Sequence, residues 1–305
     1  MSQPLVWVIV LNYNGREWLA GCFEALAATR YERYRALFID NASTDDSVEL
    51  MRTRFPQIAR IENAANLGFT EGNNVGIRLA LAEGADYFVL LNPDTRVEPG
   101  WLHELIAAGE AAPGVGILGA VQLEYEGEAL NSWTTTAARA HLDRLREPDS
   151  APRIIEMEWV EGACFAVKRD VAERIGLLDA IYFSFYEEID YCRRAACAGY
   201  ASALVPRSRI HHHRGGSWQA DARISRRRDY VCDRSQFIFA ATDPRKSPLR
   251  NAGWYAVTLA TKARALFRGF TFARAVDLCR MQIDLLFIFP AMVAKWRRDR
   301  ERVRQ

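Results

Sequence analysis

A pattern that recurs three times in the first third of the chain constrains its fold more than any other feature. A short apolar, strand-forming run stops abruptly in a polar loop, and helical spacing follows. Val6-Trp7-Val8-Ile9-Val10-Leu11 runs into Asn12-Tyr13-Asn14-Gly15, and Ala36-Leu37-Phe38-Ile39 into Asp40-Asn41-Ala42-Ser43-Thr44-Asp45. Tyr87-Phe88-Val89-Leu90-Leu91 runs into Asn92-Pro93-Asp94. Continuous apolar runs, rather than alternating ones, describe strands covered on both faces, as in parallel sheets. Residues 16–28 then place Trp18, Leu19, Phe23, Leu26 and Ala27 on one helical face. Ser43 or Thr44 is expected to cap a second helix, with acids near its start that suit the helix dipole. A short strand near 58–62 and a helix over 70–83 complete the unit. Such alternation predicts an α/β fold with a parallel sheet. The loops at Asn12, Asp40 and Asn92 should gather at the carboxyl edge of that sheet, where open α/β sheets bind ligands.

The third loop carries the most pointed chemistry. Pro93 cannot continue a strand ladder, so Asp94 should project from a tight turn. An acid there suits a divalent cation that holds phosphates, although Asn, Pro and Asp are also ordinary turn residues. No Gly-x-Gly-x-x-Gly follows the first strand and no P-loop is present, which disfavours dinucleotide oxidoreductases and P-loop kinases. A formal charge of +2 gives no argument for nucleic-acid binding. The six cysteines form no Cys-x-x-Cys pair, so neither a zinc site nor a disulfide framework is expected. Most of them read as small buried residues in a reducing compartment. No signal peptide is expected, because a strand pattern begins at Leu5 with no basic stretch before it. No run reaches the roughly 18 apolar residues of a membrane-spanning helix.

Beyond a helix near 100–110 the pattern becomes more β-like. Residues 116–123 and 159–167 read as strands, the second containing Gly162, which can mark close approach of a ligand or backbone. Residues 143–153 read as a surface loop and 171–178 as a helix. Phe185-Tyr186-Glu187-Glu188-Ile189-Asp190 opens another helix. Ala203-Leu204-Val205-Pro206 is the last expected strand, followed by His211-His212-His213-Arg214-Gly215-Gly216-Ser217 and a basic helix. Residues 261–305 hold eleven Lys or Arg against four acids, a net charge of +7, with apolar residues between the charges. This is the make-up of an interfacial amphipathic segment with snorkelling arginines, or of helices that pack on the domain with a solvated basic face.

Taken in order, the loops at Asn12–Gly15, Asp40–Asp45, Asn66-Leu67-Gly68-Phe69 with Gly72-Asn73-Asn74, and Asn92-Pro93-Asp94 resemble those of inverting family 2 glycosyltransferases, in particular the rhamnosyltransferase-like subgroup. The Glu187-Glu188 and His212–Ser217 stretches match later motifs of the same group, so the resemblance runs from about residue 5 to 240. It implies the α/β GT-A fold, a Rossmann-like nucleotide-diphospho-sugar transferase with a mixed, mostly parallel sheet flanked by helices and a C-terminal helical extension. Residues 1–250 would form the GT-A domain (1–115 the nucleotide-binding half, 116–250 the acceptor-binding half), and 251–305 the basic extension.

The resemblance also implies roles. Asp40 would accept hydrogen bonds from the pyrimidine edge, and Asn12, Tyr13, Asn14, Asn41 and Ser43 would frame the nucleoside. Asn66, Gly68 and Asn73 would close the nucleotide pocket. Asn92, Gly162 and Ala163 would lie against the donor sugar, and Arg234 would reach the diphosphate. Asp94 and His212, or a neighbouring histidine, would hold Mg²⁺ or Mn²⁺; Asn92 stands where the family often has a first acid. Glu188 would be the base that inversion requires, with Glu187 and Asp190 in reserve. The implied reaction moves L-rhamnose from dTDP-rhamnose, or a sugar from a UDP-hexose or UDP-N-acetylhexosamine, to a glycan or lipid-linked acceptor in cell-envelope polysaccharide synthesis. A sugar nucleotidyltransferase is the alternative enzyme. The expected location is cytoplasmic, peripheral on the inner membrane through the C-terminal extension.

Overall fold

The computed structural model describes residues 3–148, 151–214, 222–268 and 272–304. Its strands are β1 (Val6–Asn12), β2 (Tyr34–Asp40), β3 (Ala59–Glu62), β4 (Tyr87–Leu91), β5 (Thr95–Val97), β6 (Val115–Glu124), β7 (Ile155–Met157), β8 (Cys164–Lys168) and β9 (Ala201–His212). Its helices are α1 (Arg16–Ala27), α2 (Ser47–Arg54), α3 (Gly68–Ala82), α4 (Trp101–Ala111), α5 (Ser132–Ala137), α6 (Leu142–Arg146), α7 (Arg169–Ile175) and α8 (Glu187–Cys197). Four longer helices follow: α9 (Ala222–Ala241), α10 (Pro248–Arg268), α11 (Phe272–Phe287) and α12 (Phe289–Arg304).

One sheet runs β3-β2-β1-β4-β8-β6-β9-β5, with β7 added along β9. The first four strands are parallel, as the continuous apolar runs require. Asn12 lies directly opposite Asp40. From β8 onward the sheet is mixed: β8 is antiparallel to β4 and β6, whereas β6 and β9 are parallel. Alternate residues of β1 serve two cores. Val6, Val8 and Val10 pack with Leu19, Phe23 and Trp101 on one face. Trp7 and Ile9 pack with Ile77, Val171 and Tyr191 on the other. Both faces of the sheet are therefore dry, the condition under which a strand dispenses with polar alternation.

Three expectations are revised. Ser43 and Thr44 do not cap α2, which starts at Ser47; the Ser43 hydroxyl instead accepts the Asn14 N–H. The last strand does not stop at Pro206. It continues to His212 across a register shift between Val205 and Arg209, one of the few places a sheet tolerates proline. In the region 159–167 only Cys164 onward is strand. Gly119 allows Val160 to pack against β6, since a Cβ at Gly119 would lie 2.8 Å from the Val160 Cβ.

The C-terminal helices share a core with the main domain. Phe237 and Ile238 of α9, Met281 and Leu285 of α11 and Met292 of α12 enclose Tyr182, just ahead of α8. Among the described residues no helix is long and apolar enough to cross a membrane. All six cysteines are free.

Candidate active site

The carboxyl ends of β1 and β2 are sewn together by their own loop residues. Asn12 is fully buried, and its Nδ2 donates to Asp40 Oδ1 at 3.3 Å and Ser43 Oγ at 3.1 Å. Ser43 N–H donates to Asp40 Oδ2. Asn14 takes a left-handed backbone, φ 52°, and its Oδ1 accepts the Thr44 N–H at 2.7 Å. Gly15 completes the corner, because a Cβ there would lie 2.5 Å from Asn12 Oδ1. That oxygen is buried with no hydrogen-bond partner among the described residues. An orphaned buried acceptor in such a corner fits a donor arriving from a ligand. Tyr13 is half-buried beside it.

Asn41 has a different place from Asn12. Its Nδ2 donates to Asn66 Oδ1 and the Gly68 carbonyl, while its Oδ1 accepts from Asn63 Nδ2 and the Leu67 N–H. All of its hydrogen-bonding capacity is spent inside the protein, so Asn41 ties down the Asn66–Gly68 loop and is not free to contact a nucleoside. Gly68 has φ +77°, and a Cβ there would lie 2.4 Å from the Phe183 carbonyl oxygen, which bonds the Phe69 N–H. Only glycine permits that approach. Asn73 is buried and donates to the Phe69 carbonyl. The nucleotide-side loop is thereby stitched to the segment that leads into α8.

The Asn-Pro-Asp turn meets the end of β9. Thr95 on β5 pairs with His212, and the His213 N–H donates to the Asp94 carbonyl. This pairing sets His212 Nε2 at 3.3 Å from Asp94 Oδ1 and 3.5 Å from Asn92 Nδ2. Asp94 and His212 are both buried. His211 instead lies against the Glu124 carbonyl, and the His213 ring stacks on Trp18, with ring centroids 4.1 Å apart. Of the three histidines, His212 is the one that faces Asp94. Gly215, Gly216 and Ser217 of the same motif lie outside the described residues.

A carboxylate suits Mg²⁺ or Mn²⁺, and the softer imidazole beside it leans the pair toward Mn²⁺. Among the described residues no cluster of three His, Cys, Asp or Glu side chains could hold a metal. The pair therefore fits an ion that takes its remaining ligands from water and a diphosphate, the usual arrangement for Mg²⁺. The Asn92 N–H donates to the Ala163 carbonyl, so Gly162 and Ala163 border the same corner.

The acids of α8 occupy two distinct environments. Phe185 and Tyr186, immediately before the helix, both have left-handed backbones, φ 67° and 68°. Two consecutive non-glycine residues held this way store strain, and such strain clusters at functional sites. Just beyond them, Glu187 Oε2 and Glu188 Oε2 are buried without hydrogen-bond partners among the described residues. Burial pushes Glu188 up to about 7, helped by the negative charge of Glu161 and opposed by backbone N–H groups. Burial and then the Glu188 charge push Glu187 well above the usual carboxylate range. The two titrate as a pair.

Asp190 is different. Burial would raise it, but Lys295, Arg193 and Arg194 hold it well below the usual range. Arg193 Nη2 lies at 2.6 Å, Arg194 Nε at 2.9 Å and Lys295 Nζ at 2.9 Å. An acid held ionised this firmly is a poor proton acceptor. The expectation of Asp190 as a reserve base gives way to an anchoring place. Arg234 donates to the Ile181 carbonyl, in the lead-in to α8.

Two residues at the site escape the sequence reading. Glu161 pairs with Arg214 at 3.5 Å, while its Oε2 is buried and unpartnered among the described residues. It adjoins the glycine already singled out, and that adjacency was the available signal. Gln122, on β6, bonds His212 Nδ1 through its Oε1 at 2.9 Å. Nothing near Gln122 in sequence marks it.

The model of Glycosyl transferase family 2 matches residues 7–176, more than half of the chain. An N-acetylglucosaminyl-diphospho-decaprenol L-rhamnosyltransferase of Mycobacterium tuberculosis is 25% identical over 284 residues, covering 83% of this chain and 87% of the relative. Among solved structures, the mannosyltransferase PcManGT from Pyrobaculum calidifontis, in complex with GDP-Man and Mn²⁺, superposes with a TM-score of 0.56 at 17% identity, over 98% of this chain and 86% of that one. Staphylococcus aureus TarS 1-349, in complex with UDP, gives 0.59 at 11% identity, over 98% and 89%. These two superpositions bear on the fold, which they share. With the family model spanning all three polar loops and β8, the chain belongs to glycosyl transferase family 2 and is a glycosyltransferase of the GT-A fold.

Proposed function

We propose that this glycosyltransferase is an inverting enzyme that moves L-rhamnose from dTDP-rhamnose to a polyprenyl-linked acceptor in cell-envelope polysaccharide synthesis. The observation that carries the inverting step is the Glu187–Glu188 pair, each with an Oε2 that is buried without a hydrogen-bond partner among the described residues, and each raised from the usual carboxylate range. A general base works best with a pKa near the working pH. Glu188, the more readily ionised of the two, takes the proton of the acceptor hydroxyl as that oxygen attacks the anomeric carbon and the nucleoside diphosphate leaves. Glu187 stays protonated beside it and can donate a hydrogen bond.

The remaining residues bind and orient. Asp40 and Asn12, with Tyr13 and Asn14, take the nucleoside. Gly68 and Asn73 shape the loop over it, Asn66 is held by Asn41, and the Gly162-Ala163 backbone lies along the sugar. Asp94 and His212 would hold a divalent cation. Such an ion, when bound, neutralises charge on the leaving diphosphate. Asn92 lends an amide to a sugar hydroxyl or a metal-bound water.

The choice of rhamnose and of a lipid-linked acceptor rests on the likeness to the mycobacterial relative along most of both chains. Transfer assays with dTDP-rhamnose, UDP-N-acetylglucosamine and GDP-mannose, each with a polyprenyl-diphospho-sugar acceptor and Mg²⁺, test it. Turnover with dTDP-rhamnose alone is expected. Turnover only with a UDP-sugar would move the enzyme to the hexosyl class.

The C-terminal helices support a membrane contact, and we treat 251–305 as an extension built for it. Trp254, Phe267, Phe272, Ile283, Leu286 and Phe287 are all exposed on helices carrying basic residues. Apolar side chains interleaved with arginine suit an anionic bilayer surface. Deleting the tail would strip Met281, Leu285 and Met292 from a shared core, so surface variants are the better probe. Leu286→Ser with Phe287→Ser should release the protein from phosphatidylglycerol liposomes; unchanged sedimentation counts against the contact.

A further inference from the structure

We infer that Gln122 and Asn131 are positioning residues that hold His212 in its Nδ1–H tautomer, presenting the Nε2 lone pair to Asp94. Asn131 is the N-cap of α5, and its Oδ1 accepts the Thr134 N–H at 2.9 Å. A backbone N–H can only donate, so the amide orientation of Asn131 is determined. Its Nδ2 therefore donates, at 3.1 Å, to the Gln122 side chain, and the atom it meets must be Oε1. The same oxygen faces His212 Nδ1 at 2.9 Å. A carbonyl oxygen only accepts, so Nδ1 carries the proton and neutral His212 has a bare lone pair on Nε2.

The chain of constraints is tightly held. Asn131 and Gln122 are 0% and 1% exposed. The Asn131 N–H donates to the Gln122 carbonyl, and Thr134 Oγ1 both accepts from the Gln122 N–H and donates to its carbonyl. No amide in this set can flip without losing a buried hydrogen bond, which is costly. At the other end of the ring, a lone pair meets a carboxylate oxygen 3.3 Å away. In the neutral ring two acceptors face one another there; a proton on Nε2, the Asn92 Nδ2 donor 3.5 Å away or a bound cation relieves their repulsion, and a cation does so with both as ligands. The cap of a helix on the far side of β6 thus prepares the imidazole as a ligand. Outer partners of this kind set ring orientation and ligand basicity in metal sites.

The inference rests on the proposed metal corner for its purpose, but the tautomer can be read without metal. Side-chain ¹⁵N NMR of the metal-free enzyme, at a pH where His212 is neutral, reports which nitrogen is protonated. The wild type should show Nδ1–H. Asn131→Asp keeps the cap acceptor but replaces the donor toward Gln122 with an oxygen. Gln122 should then turn its NH₂ group toward both neighbours, and His212 should switch to Nε2–H, although residue 131 does not touch it. Gln122→Met should give a mixture of tautomers. Both variants should weaken binding of Mn²⁺ alone, by roughly 10–100-fold, measured by calorimetry. An Nε2–H ring in the wild type, or an unaltered tautomer in Asn131→Asp whose α5 is intact by amide shifts, overturns the inference. Mn²⁺ that leaves the His212 resonances untouched while the tautomers behave as stated would instead remove the metal reading and leave the positioning pair standing.

Discussion

Two faces of the first turn of α8 treat identical chemistry in opposite ways. Glu188 and Asp190 are two residues apart and both carboxylic acids; Asp190 is fully buried, and Glu188 is half-buried with its Oε2 out of water. Among the described residues no cation pairs with Glu188, and burial raises it to about 7. Asp190 has three cations within 3 Å, and they override the same burial. Desolvation is common to both; the partner decides which form survives. One region keeps a carboxylate poised to take a proton. The other uses one as a fixed anion that joins α8 to α12 through Lys295, which also bonds Asp299.

The comparison can be broken at either end. The largest effect is expected from Glu188→Gln, which removes the proposed base and should lower kcat by about 10²–10⁴-fold. Donor affinity by calorimetry should stay close to the wild type. A kcat within a few-fold of the wild type would transfer the role to another group. Asp190→Asn should act on folding instead. Breaking a buried pair strands its partners, at a cost of about 3–5 kcal/mol, seen as a lower urea midpoint. Lys295→Met should follow it more weakly, since Arg193 and Arg194 remain to pair Asp190. Equal stability of Asp190→Asn and the wild type would show that the cluster anchors nothing.

A subtler prediction concerns pH. Because the folded enzyme raises Glu188, the group favours the fold below its unfolded pKa near 4.5, and that contribution is lost as pH rises through about 7. Glu188→Gln should therefore raise Tm relative to the wild type at pH 8 and leave it nearly unaltered at pH 4. The kcat of the wild type should rise with pH across the same range, as the base loses its proton. Asp190 has the opposite sign: its stabilisation is present above about pH 4 and is lost in stronger acid. A Tm difference that is independent of pH would place Glu188 in an ordinary solvated setting.

Much of the nucleotide side was legible because its determinants are local. The runs before Asn12, Asp40 and Asn92 announce double-sided burial by composition, and the loop residues bond largely within their own loops or to the neighbouring loop. Asn41 shows the limit of that legibility. It stands in the motif beside Asp40 and reads as one more contact to ligand, but its side chain spends both polar atoms on the Asn63–Gly68 segment. The same residue type binds or braces according to what is folded against it. The second half was harder. Thr95–Val97 and Ile155–Met157 are strands of three residues, too short to carry a periodic signal, and they exist because β9 offers them an edge.

By itself, the sequence determined the layer order, the carboxyl-edge placement of the polar loops, and the presence of acids at the start of α8. Each follows from burial pattern and turn chemistry over a few residues, which any fold of this chain must honour. The tertiary structure alone decided which acid is poised and which is clamped, because Lys295 lies 105 residues beyond Asp190. It alone decided that His212, among three histidines, faces Asp94, because β5 pairs with the end of β9. It also fixed the state of that imidazole through Gln122 and Asn131, whose amides acquire an orientation only when a helix cap, a strand and a ring are packed together.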